Sequence, residues 1–429
     1  MSTNKESVIT KNTMYALYYI VLLLLTFFLT KPDVSYSAMV RYAYILAVVT
    51  PLFFNKSYAI FALPLFLGIS YASFAPFFPT NSLFCFIVCI ALSIMQVRIR
   101  YGTIIYLIWI IYLLCVELLT PVPHFECIMS GVTTIFLSFL VNTKHDITKI
   151  GIAFGLISFV LSLLFLLYFD KFSEEFLLQG GDDVERASWI NPNIFGGIIG
   201  CGMVSMVLML VQAREMSVSR WIKFLCFCGV LLSIMTLILN ASRGALVASI
   251  LSSLILLFNS KIQYQYKWLS LAVILIFIVI LYNEGYFELL NVRLFEEETI
   301  GTAGGRTEIW SQKLEAFSNL PIAQQFFGVG YNGCVNMGIY FDTHNDFITA
   351  ICAYGYIGFI SFIALSIAPI FIASKEKKMI VAGLLLFFIL ENVVLSPVFR
   401  GYFIFFIFYL MVLKYAIITS EQKVDIKMG

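Results

Sequence analysis

Long apolar runs separated by short polar breaks cover most of the chain. They fall at about 14–30, 38–54, 58–78, 82–97, 102–120, 125–141, 149–169, 194–212, 221–240, 244–258, 268–282, 346–373, 379–398 and 401–417. Most approach the ~20 residues a helix needs to cross a bilayer. In lipid only a helix satisfies every backbone group within its own segment. The pattern therefore predicts an all-α polytopic membrane protein with about 12–14 transmembrane helices, two of the shorter runs being re-entrant or merged in the lower count. Composition agrees: 61% of the 429 residues are hydrophobic and 12% are charged, against roughly half and a quarter in soluble domains. The polar start with Lys5 and Lys11 before an apolar run has the outline of a signal peptide. No small-residue cleavage site follows it, so 14–30 reads as a first span.

Charge gives these spans a direction. With the N-terminus in the cytoplasm and strict alternation, 18 of the 27 Lys and Arg fall on inward segments and eight on outward ones. That split satisfies the positive-inside rule. The sizeable polar segments, 170–193 and 283–345, then share the outer face with the turns at 241–243 and Arg400. The inward segments are short and basic, too small for a nucleotide-binding domain. Gly328–Gly333 lacks the Lys-Ser/Thr of a phosphate-binding P-loop. The basic residues are scattered singly, so no nucleic-acid partner is expected.

Candidate chemistry lies on the outer face. Residues 307–320 read as a helix ended by Pro321, with Ile309, Trp310, Leu314 and Phe317 on one side. Such a helix either lies in the membrane interface or packs on the tops of the spans. His344, beside the turn and capping residues Thr343 and Asn345, sits where a span begins. The partial positive charge of that helix start favours a neutral imidazole, the form that accepts a proton; the plainer reading is a hydrogen-bonding residue. Arg243, Arg306, Arg186 and Arg400 place four guanidinium groups on this face. Each could snorkel to lipid phosphate, but a planar fork of donors also suits a diphosphate. Asp182 and Asp183 read as a solvated loop, since no third metal ligand has regular spacing. Neither a metal nor a cofactor is expected. Arg41, Glu117 and Glu391 lie within spans, where ionisable groups usually face protein or a cavity. The nine cysteines read mostly as small packing residues, with Cys127 and Cys334 the pair that could bridge on the outer side.

Several motifs together resemble the O-antigen ligase and O-antigen polymerase superfamily: Asn240–Ala245 around Arg243; Gly304, Gly305 and Arg306 with Trp310; Gly328–Tyr331; His344 and Asn345; Tyr354–Gly358; and Asn191–Asn193 before the span at 194. The resemblance covers roughly 186–400. It implies a multi-pass protein of the bacterial inner membrane, with 1–282 as spans and short loops (170–193 periplasmic), 283–345 as a large periplasmic loop with an interfacial helix, and 346–429 as three spans and a cytoplasmic tail. It implies a metal-independent, inverting glycosyltransferase whose active site faces the periplasm. The donor would be an undecaprenyl-diphosphate-linked glycan. The acceptor would be lipid A core for a ligase, or a second lipid-linked glycan for a polymerase. By motif, Arg243 and Arg306 would hold the diphosphate and His344 would act as general base; Arg186 and Arg400 are assigned from position. Asp342 or Asp346 could orient the histidine. A transporter or flippase for the lipid-linked sugar is the alternative of a different class, although no internal repeat is visible.

Overall fold

The computed structural model describes residues 18–19, 21–25, 38–54, 58–71, 101–169, 192–288, 290–291, 306–340 and 342–428. Arg186, the run at 82–97, Cys85, Cys89, Asn191, Asp182, Asp183 and Gly301–Gly305 lie outside them, as does the side chain of Arg41. Besides helical residues at 21–25, the described residues form no strand and fifteen bounded helices. They are α1 (Ala38–Phe54), α2 (Ala59–Tyr71), α3 (Tyr101–Leu118), α4 (Glu126–Leu140), α5 (Lys144–Leu167), α6 (Pro192–Val211), α7 (Arg220–Leu239), α8 (Arg243–Phe258), α9 (Tyr264–Asn283), α10 (Arg306–Ser318), α11 (Ile322–Phe327), α12 (Tyr331–Asn336), α13 (Asp346–Ile372), α14 (Lys378–Val394) and α15 (Phe403–Met428). Six of them, α5, α6, α7, α9, α13 and α15, hold apolar stretches long enough to cross a membrane. The protein is thus an all-α polytopic membrane protein.

Helix α6 lies at the centre, buried along nearly its whole length between α5, α7, α8 and α14. Small residues allow this. A Cβ on Gly202 would stand 2.3 Å from the Ser158 side chain, so α5 and α6 touch backbone to side chain. Close approach of this kind drives helix association where lipid offers no hydrophobic gain. Ser158 and Ser233 share a 2.8 Å hydrogen bond across α5 and α7. Helix α9 is peripheral and mostly exposed.

Boundaries shift where capping chemistry intervenes. α5 begins earlier than its apolar run, because Thr143 and Asp146 form a reciprocal capping box. α14 stops at Val394, short of the expected 398, with Leu395 extended before Pro397. α15 continues as helix to Met428, beyond the expected span.

Helix α13 is broken at Gly355, whose φ of +67° is open to glycine but not to a helix. The break frees two carbonyls, and other parts of the chain satisfy both. Val329 and Gly330 donate their N–H groups to the Ala353 carbonyl at 2.9 and 2.8 Å. The Tyr112 hydroxyl of α3 donates to the Tyr354 carbonyl at 2.6 Å. Gly328, at φ +90°, comes so close that a Cβ would sit 2.1 Å from the Ala353 oxygen. The motifs Gly328–Tyr331 and Tyr354–Gly358 are therefore two halves of one backbone contact.

Candidate functional site

Glu117 closes α3 and is fully buried. Its Oε1 accepts from the Tyr331 main-chain N–H at 2.8 Å and from the Tyr354 hydroxyl at 2.9 Å. Its Oε2 accepts from the His124 main-chain N–H at 2.7 Å. A buried carboxylate is tolerable only with such donors. This one ties the loop after α3, the start of α12 and the first half of α13 together.

Tyr331 extends the network by donating its hydroxyl to Asp342 Oδ2 at 2.9 Å. The same carboxylate receives Arg400 Nε, and its Oδ1 accepts the His344 main-chain N–H at 3.2 Å. Burial works against ionisation of Asp342, but the Arg400 guanidinium outweighs it and holds the carboxyl below the usual range. On Arg400, burial works against the charge and Asp342 more than restores it, so its pKa is raised. The turn carrying Arg400 is fixed by Asp346, which accepts from the N–H groups of Val398 and Phe399 at 2.9 and 3.1 Å. Of the two carboxylates expected beside His344, Asp342 adjoins it, while Asp346 is fully buried and turned to the 396–402 segment.

Arg306 is the first residue of α10, and its guanidinium donates to the Val394 carbonyl at 2.7 Å. Arg243 is the first residue of α8. Its neighbour Gly244 lies so near Val394 that a Cβ would come within 2.7 Å of that side chain. Arg243 and Arg306 thus gather at the end of α14. The pKa of Arg306 is lowered, first by burial and then by the charges of Arg243 and Arg400. Arg243 and Arg400, from two other chain segments, both bear on the charge of Arg306. Two of the three arginines open helices, whose starts add positive potential.

His344 sits half-buried in the same region, at φ +49°. A non-glycine residue there costs on the order of 1 kcal/mol, so its surroundings must impose it. Trp310 Nε1 donates to the Thr343 carbonyl at 2.7 Å. Thr343 Oγ1 lies 2.5 Å from Thr349 Oγ1 and 3.3 Å from Ser396 Oγ. Asn345 caps α13 by accepting from Phe347 and Ile348 N–H.

Helix α10 packs against α13, as one of its two expected placements required. Phe317 is buried, but Leu314 is 38% exposed. Lys313 occupies the buried stripe instead, with no exposed surface. Its Nζ donates to the carbonyls of Cys334, Val335 and Ile339 at 2.6, 2.7 and 2.7 Å. Burial lowers its pKa. This lysine clamps α12 to α10. Cys127 and Cys334 are separate buried free thiols.

One site residue escaped the sequence reading. His124, in the short loop between α3 and α4, stacks on the Tyr331 ring at 4.2 Å. The alternation that sends 283–345 to one face sends 121–124 there too, which was the available signal. Among the described residues no group of three or more His, Cys, Asp or Glu stands together to hold a metal.

Residues 228–363 match a family model described as O-antigen ligase. No curated protein matches the chain. The matched stretch holds Arg243, Arg306 and His344 and stops before Arg400.

Proposed function

We propose, from the match of residues 228–363 to a family model described as O-antigen ligase, that the protein is an inverting membrane glycosyltransferase moving a glycan from undecaprenyl diphosphate to an acceptor hydroxyl. The observation that carries this reading is the convergence of Arg243, Arg306 and Arg400, close enough that two of them disfavour the charge on the third. Such a cluster suits an anion of high charge density at the ends of apolar helices, as a lipid diphosphate presents. A sugar on a diphosphate is already activated, so no nucleotide is required. As the acceptor oxygen bonds to C1, the C1–O bond to the diphosphate breaks and negative charge grows on the leaving group. Guanidinium groups already in place stabilise that charge without reorganising. In this reading Arg243 and Arg306 hold the diphosphate, and Arg400, held in place by Asp342, stands beside them. Arg186 joins them by sequence position. His344 takes the acceptor proton. The site lies at the periplasmic face of the inner membrane.

Ligase and polymerase differ in the acceptor. Purified protein in lipid nanodiscs is given an undecaprenyl-diphosphate-linked oligosaccharide with either lipid A core or more of the same donor. Glycan on lipid A core marks a ligase, and a lengthened lipid-linked glycan marks a polymerase. If neither product forms, or if Arg243→Ala and Arg306→Ala transfer as well as wild type, the proposal is wrong.

A further inference from the structure

The imidazole of His124 is positioned by its own backbone and by one stacked ring. Its main-chain N–H is fixed by Glu117, and its face lies on the Tyr331 ring at 4.2 Å with planes 24° apart. The main-chain carbonyl of Phe399 lies near the ring and favours a proton on it. The remaining nitrogen, Nε2, is buried and has no hydrogen-bond partner among the described residues. In the neutral tautomer protonated at Nδ1, Nε2 is an acceptor. Burial favours that neutral form and outweighs the nearby carboxylates of Glu126, Glu117 and Asp342. A purely structural histidine would gain by satisfying this atom, since a buried unsatisfied acceptor is costly. Here the ring is fixed within the Tyr331–Asp342–Arg400 network and one acceptor site is left over.

We infer that His124 Nε2 accepts a hydrogen bond from a hydroxyl of the bound carbohydrate, making His124 a sugar-recognising residue distinct from the arginines that face the diphosphate. The inference rests on the glycosyltransferase reading above. A fixed neutral acceptor discriminates for a donor group on the ligand and contributes nothing to a diphosphate, which has no hydrogen to give.

Two substitutions separate this role from simple support of Tyr331. His124→Phe keeps a ring for the stack and removes the acceptor; His124→Gln loses the ring and keeps an acceptor oxygen. Full-length protein in detergent is titrated with undecaprenyl diphosphate carrying no sugar and with an undecaprenyl-diphosphate-linked disaccharide. His124→Phe is expected to weaken disaccharide binding about tenfold and to leave the sugar-free lipid within about twofold of wild type. His124→Gln is expected to retain most of the preference for the sugar-bearing lipid. The inference is overturned if His124→Phe binds both probes like wild type, or weakens both equally, or if His124→Gln is the more damaged of the two. Wild-type protein that binds neither probe would instead overturn the lipid-diphosphate reading, and this inference with it.

Discussion

The two ends of the helix bundle treat positive charge in opposite ways. At the end where α5 starts and α6 stops, Glu215 sits between two lysines, 2.5 Å from Lys377 Nζ and 3.5 Å from Lys144 Nζ. Lys377 also reaches Gln212 at 2.8 Å. Lys267 donates to the carbonyls of Phe258 and Ser260 at 2.8 and 2.9 Å. Burial works against the charge on Glu215, but Lys377 and Lys144 outweigh it and lower its pKa. At the other end, Asp342 pairs with Arg400 while Arg243 and Arg400 both weigh against the charge on Arg306. Around Lys377 the buried charge is balanced locally, whereas around Arg306 like charges stand together. Crowded like charges oppose the folded state, and an anionic ligand would relieve them. The contrast teaches where a ligand belongs more directly than any single residue does.

The comparison breaks most sharply in activity. Arg306→Ala and Arg243→Ala are expected to lower glycan transfer by about a hundredfold, the scale of removing one preorganised donor, whereas Lys377→Ala at the balanced end should leave it within about twofold. Equal losses at both ends, in the nanodisc assay, would dissolve the distinction.

Stability sharpens it next. Glu117→Ala strands the N–H groups of Tyr331 and His124 and the Tyr354 hydroxyl. A loss of about 3 kcal/mol is expected, read from thermal unfolding of the purified protein. Glu117→Gln should lose less, because its carbonyl still accepts. Asp342→Asn removes the partner of Arg400 and is expected to cost about 2 kcal/mol. Its pH dependence has a definite sign. Because the native carboxyl is depressed, its contribution is complete above the ordinary aspartate value of about 4 and fades as pH falls through the lower native value. The variant should lack that acid-limb loss in unfolding scans taken downward from neutral pH. The smallest effect belongs to the balanced end, where Lys149→Ala, which removes a partly exposed pair with Asp146, should cost under about 1 kcal/mol.

Much of this was legible from residue order alone. Apolar runs located the helices, and the amphipathic stretch ended by Pro321 matches α10 closely. Arg243, Arg306 and Arg400 were candidates on one face, and the fold brings them together. Lys313 was counted as an ordinary outer cation, because periodicity assigns a lysine to water and cannot foresee three carbonyls waiting for it. The partners of Glu117 were hidden for a related reason: Tyr331 and Tyr354 lie more than 200 positions along the chain, so only the fold brings them near. The break at Gly355 left a trace in the glycines of its motif. The sequence did not show that the loop at 328–330 would supply the missing donors.

That break bears on how the protein is made. A segment leaving the insertion machinery with two bare carbonyls part-way along is a poor lodger in hydrocarbon. Its complement comes partly from a stretch synthesised just before it and partly from Tyr112, laid down more than two hundred residues earlier. Helix α13 therefore cannot mature on its own as it is threaded in. It must settle jointly with the preceding loop against an already seated α3, which makes its assembly a late and concerted event in biogenesis.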